Sequence, residues 1–237
     1  MLLHIIRHAD PDYARDSITP RGVDEAKALA DRLARRGIEQ VYTSPLGRAV
    51  ATAEPTAALL GMTPTVLDWA REFDSPLVDD GVGVAGLAFW NVAGQYLRGG
   101  GMDLVRPDRL PIYQEGDAHT RIAAEIDRLR TGSDDWLAGL GLRRDGDRYR
   151  RSADVPNEVA VFCHGGLAVT WVAHLLGIPV GLAWCGMYVA PTSVSTVVFE
   201  SRTPDFAVPR LIAFGDTSHI YAANLPENLS GIPGGFA

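Results

Sequence analysis

"IIRHADPDY", residues 5–13, opens as an apolar strand and then delivers Arg7 and His8 to its carboxyl end, ahead of two acids and a proline. Near-continuous apolar runs are what strands buried on both faces look like, and open α/β sheets take their ligands at strand carboxyl ends. His8 is therefore expected where a ligand binds. Downstream, "ITPRGVDEAKALADRLARRG" reads as an amphipathic helix, with Thr19 as cap, Pro20 in the first helical position, Val23, Ala26, Ala30 and Leu33 facing inward, and Gly37 as stop. "IEQVYTS" is a short strand, "PLGRAVATAEPTAALLG" a second helix and "TPTVLDW" a third strand. This β-α-β-α-β alternation predicts an α/β fold in three layers, a mostly parallel central sheet between helices.

From about residue 74 to 157 the pattern loosens into Gly- and Pro-rich stretches, read as an inserted cap over the sheet edge. Within it, "TRIAAEIDRLR" predicts a helix and "LRRDGDRYR" a hairpin turning at Asp145-Gly146. "EVAVFCH" and "GGLAVTWVAHLLG" restore strand and helix, and "SVSTVVFE" and "PRLIAFG" complete the sheet. The expected organisation is one domain over 1–220 and a loosely ordered tail over 221–237.

Composition narrows the partners. A formal net charge of −7 argues against nucleic acid, whose binding rests on neutralising phosphates. Lys27 is the only lysine among 22 basic residues, so richness in arginine carries no message apart from position. Residues 166–190 lack charged side chains, but His174, Pro179 and several glycines interrupt them, so a membrane span is not expected. Two cysteines do not make a disulfide scaffold, and Met1 runs straight into a strand, which reads as cytoplasmic. No cofactor and no metal are expected, since the chain lacks a Walker lysine motif, a GxSxG elbow and HExxH-like ligand spacing. A literal GxGxxG, "GVGVAG" at 81–86, follows "SPLVDD" rather than a βα unit and is rejected as a dinucleotide site.

His164 mirrors His8. In "VAVFCHGGLAVTW" it follows an apolar strand, Gly165 and Gly166 clear side chains from the backbone, and a helix N-terminus follows to offer amides to an anion. Arg48 falls near the start of the second helix, with Ser44 as the expected cap and Pro45 as its first residue. Two arginines and two histidines at three strand ends suit phosphoryl transfer through a phosphohistidine. Cations favour neutral, nucleophilic imidazole and neutralise phosphoryl oxygens, while a further acid must protonate the leaving alcohol.

These residues resemble the histidine phosphatase superfamily, the phosphoglycerate mutase-like fold. Its Arg-His-Gly signature appears as Arg7-His8-Ala9, its "SPLxRAxxTA" pattern as "SPLGRAVATA", its late His-Gly as His164-Gly165, and its closing strand motif as "GDTSHI" at 215–220. The resemblance implies His8 as nucleophile, Arg7, Arg48, His164 and Gly165 as phosphate ligands, and Glu72 of "DWAREF" as general acid and later base, with Asp74, Asp79 and Asp80 as neighbouring carboxylates. Thr19 and Gly22 match a segment near the pocket. Ala9 replaces the usual glycine, and the glutamate and asparagine that follow the signature in mutases are absent. The implied activity is a metal-independent phosphatase acting on a small phosphorylated substrate. A phosphoglycerate mutase-type transfer and a non-catalytic phospho-ligand binder are the alternatives. Oligomeric state is left open, a homodimer included.

Among the other histidines, His4 and His174 read as packing residues, His119 as surface, and His219 as rim or scaffold with equal weight. Trp90, Tyr96, Arg98, Arg106 and Tyr113 are cap residues that could meet a leaving group. The arginines from Arg143 to Arg151 read as a solvated face in preference to a substrate-binding one.

Overall fold

The structure, a computed structural model, describes residues 1–74, 76–79, 81–114 and 116–232. The first half contains β1 (Leu2–Arg7), the short pair β2 (Pro11–Asp12) and β3 (Ser17–Ile18), α1 (Pro20–Leu33), β4 (Gln40–Thr43), α2 (Gly47–Leu60) and β5 (Thr65–Val66). A second short pair, β6 (Leu77–Val78) and β7 (Leu87–Ala88), and α3 (Gly94–Leu97) lead to α4 (Ala118–Gly139) and the hairpin β8 (Leu142–Asp145) and β9 (Arg148–Arg151). The chain then runs through β10 (Glu158–Cys163), α5 (Gly165–Leu176), α6 (Val180–Gly186), β11 (Val194–Glu200), β12 (Phe206–Asp216) and α7 (Ser218–Ala222).

Eight strands form one sheet in the order β5-β4-β10-β1-β11-β12-β9-β8. Pairs from β5 to β1 are parallel and those from β1 to β8 antiparallel, so the sheet is mixed, with its parallel half built by the opening alternation. β1 lies at the join and β10 beside it, both covered by packed layers on both faces, which explains their apolar runs: every residue of β10 is buried. Alternate side chains enter opposite layers. Ile6, Ala160 and Phe162 pack with Leu29, Leu33 and Ala53 from α1 and α2, whereas Leu3, Ile5, Val159 and Val161 join Leu129, Leu137, Leu167 and Trp171 from α4 and α5. The three-layer expectation holds.

Several local readings change. α1 ends at Leu33 and not at Gly37, and Val23 is exposed, while Glu25 turns inward and accepts from the Asp10 amide (2.8 Å) and the Asn228 side chain (3.0 Å). α4 continues well past the expected segment, through "TGSDD". Gly132 sits against the Trp69 ring, where a β-carbon would collide, and Ser133 accepts 2.7 Å from the Trp171 indole, so neither breaks the helix. The hairpin forms but extends the antiparallel edge of the central sheet instead of belonging to a cap. Its alternation explains this: Tyr149 is fully buried against Phe199, and so needs the sheet's core face. Of the tail, residues 221–232 are fastened by Arg21, Tyr188 and Asn228 hydrogen bonds, and 233–237 lie outside the described residues. Among the described residues no helix is long and apolar enough to cross a membrane.

Candidate active site

Sheet register brings the two histidines together. Arg7 pairs with Cys163 and Phe162 with Thr43, so β1, β10 and β4 end level with one another. The ladder runs one residue further, with the His8 amide donating to Cys163 (2.9 Å) and the Ser44 amide to Phe162 (2.8 Å). The His8 and His164 rings lie 5.2 Å apart between centroids. From the far side, Thr192, in the left-handed region at φ 57°, donates its amide to the Arg7 carbonyl (3.1 Å). A β-branched residue is costly in that conformation, and the bonds of Thr192 to Arg7 and His219 hold it there.

His8 presents one nitrogen to the cavity. A carbonyl can only accept, so the 2.7 Å contact between Nδ1 and the Ala9 carbonyl places the proton on Nδ1 and leaves Nε2 with its lone pair. Burial first, and then the adjacent Arg7 charge, lower the His8 pKa to about 3. The imidazole is thus neutral across the ordinary pH range. The methyl of Ala9, which replaces the signature glycine, is fully buried, and its amide donates to Thr52 (2.9 Å).

The cations are held in place by other groups. Arg7 donates Nη1 to the carbonyls of Val189 (2.8 Å) and Ser230 (3.1 Å). Arg48 donates Nη1 to Asp16 (2.7 Å), whose other oxygen accepts from the Gly47 amide (2.7 Å). Asp16, and not Ser44, therefore serves the start of α2, which begins at Gly47 and not at Pro45. Ser44 instead meets His164 Nε2 at 2.7 Å, and His164, fully buried, is held neutral by burial and then by the charges around it. Among the described residues, Arg7 Nε, Arg48 Nε and His164 Nδ1 are buried without a hydrogen-bond partner. Unmatched buried polar atoms are rare in folded proteins, and here three of them belong to residues close to one imidazole.

Glu72 is brought to the same cavity by the short turn Asp68–Ala70 after β5. Its Oε1 accepts from the amides of Leu167 (2.9 Å) and Phe73 (3.2 Å), and its Oε2 from Gly166 (3.1 Å). The first turn of α5, expected to offer amides to an anion, thus spends two of them on this carboxylate. Burial pushes the Glu72 pKa up and outweighs the amides that oppose it. Oε1 is saturated by two donors, whereas Oε2, with one, retains a lone pair for a proton. Asp74 is exposed, Asp79 accepts locally from Gly81 (2.7 Å), and Asp80 lies outside the described residues.

The cavity, of about 340 Å³, has Arg7, His8, Arg48, Glu72 and Gly165 among its lining residues and continues between Trp90, Asn91, Trp184, Met187 and Tyr188. Gly166 makes this second wall possible. A methyl there would lie 2.5 Å from the Trp90 ring.

Residues 3–80, which include Arg7, His8, Arg48 and Glu72, match the family model described as histidine phosphatase superfamily (branch 1). No curated protein matches the chain. Among solved structures, phosphoserine phosphatase from Entamoeba histolytica in complex with 3-phosphoglyceric acid aligns at 19% identity over 92% of this chain and 98% of its own, with a TM-score of 0.60. A mycobacterial glucosyl-3-phosphoglycerate phosphatase aligns at 19% identity over 90% of this chain and 98% of its own, at 0.56. The signature of that superfamily model thus lies in residues 3–80, and the fold over nine-tenths of the chain is that of these solved structures.

Within this fold, Arg7, His8, Arg48, Glu72 and Gly165 border the cavity, and His164 stands against His8. Thr19 and Gly22 lie one layer out, and both touch Asp10, with a methyl on Gly22 falling 2.6 Å from its carbonyl. Of the five cap residues named from sequence, only Trp90 lines the cavity. Tyr113 is buried with its hydroxyl on the Phe89 carbonyl (2.5 Å), Tyr96 packs on Gly81, Arg98 contacts Cys185 and Arg106 pairs with Asp108. His219 is scaffold, bonded to Thr192 (3.0 Å), and the hairpin arginines lie at the sheet's opposite edge. His4 bonds Glu158 (2.7 Å) and Thr196 (3.0 Å) in the core, His174 pairs with Asp134 (3.0 Å), and His119 is exposed. Sequence reasoning missed Tyr13, Asp16, Asn91, Trp184, Met187 and Tyr188 in or beside the pocket. Apart from Trp184 in α6, they sit on turns, loops and a short 3-10 turn without a motif, and only the uncharged stretch over 166–190 marked some of them.

Proposed function

We propose that the protein is a phosphomonoesterase that works through a phosphohistidine on His8. His8 Nε2 attacks phosphorus, the ester P–O bond breaks, and Glu72 gives its proton to the departing alkoxide, so that the alcohol leaves neutral. Water then attacks phospho-His8, its proton passes to Glu72, and the P–N bond breaks to return imidazole and release inorganic phosphate. Arg7 and Arg48 neutralise the phosphoryl oxygens throughout, and His164 donates from Nδ1. No metal is needed for any step.

The observation that carries this reading is a neutral imidazole with a fixed free lone pair beside two unmatched guanidinium donors and an unmatched imidazole nitrogen. The match to the superfamily over residues 3–80 and the two phosphatase neighbours support the same chemistry. His8→Ala should lower turnover of every ester by at least about 10⁴-fold, as loss of a nucleophile does. In rapid-quench experiments on the intact protein, with chelator present, an acid-labile and base-stable phosphoprotein should appear and should be missing in the variant. Unimpaired turnover by His8→Ala would sink the proposal.

A further inference from the structure

We infer that the pocket selects esters whose leaving alcohol is uncharged and presents a flat apolar body, an aryl alcohol or a nucleoside, over esters carrying a carboxylate or a second phosphate. The inference rests on the phosphatase reading and concerns the other end of the same cavity.

Charge is its first support. The cations that border the cavity are Arg7 and Arg48, both beside His8 and both tethered, to the Val189 and Ser230 carbonyls and to Asp16. Among the described residues no other lysine or arginine lines it, and the residues outside the description, 75, 80, 115 and 233–237, include no basic side chain. The nearby guanidinium of Arg128 is committed to Glu125 (2.6 Å) and to the Trp69 and Arg71 carbonyls, and Arg98 is turned to Cys185. A carboxylate on the leaving group would lose its hydration without gaining a partner, and would also face Glu72. Phosphoserine and 3-phosphoglyceric acid, named with the structural neighbour, both carry such a carboxylate.

Shape is the second. Trp90 is pinned on the backbone of Gly166 and stands edge-to-face against Phe89, with ring centroids 5.0 Å apart. Trp184 is anchored by its indole N–H on Thr170 (2.9 Å) and packs on Phe89 at 5.2 Å. Both rings are thus preorganised, which lowers the ordering cost of binding a flat partner. Met187 adds an adaptable surface, and Asn91 supplies hydrogen bonds without charge.

The test compares benzyl phosphate and a nucleoside 5′-monophosphate with phosphoserine, 3-phosphoglycerate and glycerol 2-phosphate. All have alkyl leaving groups, so leaving-group acidity does not decide the ranking. The kcat/KM for benzyl phosphate or the nucleotide should exceed that for the two carboxylated esters at least about 100-fold, the usual scale when a buried charge lacks a partner. The two favoured esters, compared with each other, separate the aryl from the nucleoside source. Trp90→Ala should lower kcat/KM for the favoured ester by a larger factor than for glycerol 2-phosphate, and Asn91→Arg should swing the ratio toward 3-phosphoglycerate. Carboxylated esters turned over as well as the flat neutral ones, equal losses on every ester in Trp90→Ala, or no swing in Asn91→Arg would overturn the inference while leaving the phosphatase standing. Absence of phosphate release from all five would instead overturn the reading beneath it.

Discussion

The two ends of the cavity are built differently. At one end, Arg7, His8, Ser44 and His164 stand at or just beyond the ends of adjacent strands, fixed by a hydrogen-bond ladder that a register shift would destroy. At the other, Trp90, Asn91, Met187 and Tyr188 come from the stretch after β7 and the loop after α6, held by packing and side-chain contacts. In the proposed function, phosphoryl chemistry, which tolerates little displacement, sits on the rigid sheet, whereas recognition of the alcohol is left to segments that can vary without moving His8.

Substitutions at the two ends should therefore have separable signatures. Glu72→Gln should cost about 10²–10⁴-fold in turnover of alkyl phosphates and less for 4-nitrophenyl phosphate, whose leaving group needs no proton. With its pKa raised, Glu72 is protonated at acidic pH, so formation of the phosphoenzyme in the native protein should fall as pH rises through that value. The variant's rate should lose this limb. An equal loss on both substrates would move Glu72 from acid to scaffold.

Gly166→Ala drives a methyl into Trp90 without altering a donor to phosphate. About ten- to a hundredfold should be lost in kcat/KM for benzyl phosphate, and much less in inhibition by inorganic phosphate. If phosphate binding falls equally, the two ends are not independent. Asp16→Asn acts on the chemical end only. Because Asp16 is about half exposed (side chain 46%), its pair with Arg48 is worth at most about 1 kcal/mol, so KM for all esters should rise about fivefold with little change between them.

The strand-end wall also carries a stability signature. His8 and His219 are depressed to about 3 and about 4, mainly by burial. Below the ordinary value of 6.5 the unfolded chain takes up protons that the folded chain refuses. Stability should accordingly decline as pH falls from 6.5 toward 4, by about 1.4 kcal/mol per pH unit for each such histidine. Denaturant titrations at several pH values measure the slope, and His219→Gln should flatten it. An unchanged slope would mean that His219 is open to solvent.

The catalytic wall was legible because its parts carry local signals. An apolar run ending in Arg7-His8, another ending in His164-Gly165-Gly166, and Arg48 near a helix start each reveal their place through strand and helix pattern. Glu72 was reached only through resemblance, and its role in holding the first amides of α5 has no sequence mark. Asp16 was passed over because a loop aspartate usually meets only water, and Gly132 because a helix breaker is read one residue at a time, without sight of the Trp69 ring it admits. The hairpin's arginines drew attention away from Tyr149, which decides where the hairpin docks.

By itself the sequence determined the α/β alternation, the buried strands and the identity of the groups around His8, since periodicity and strand-end position are properties of short stretches. Only the tertiary structure decided that half of the sheet runs antiparallel, that Ser230 and Gly231 return to the pocket, and that its second wall is aromatic and uncharged. Those features depend on contacts between residues far apart in the chain, such as Arg7 with Ser230 and Gly166 with Trp90, where burial and close approach are set by the assembled layers and not by any neighbour in sequence.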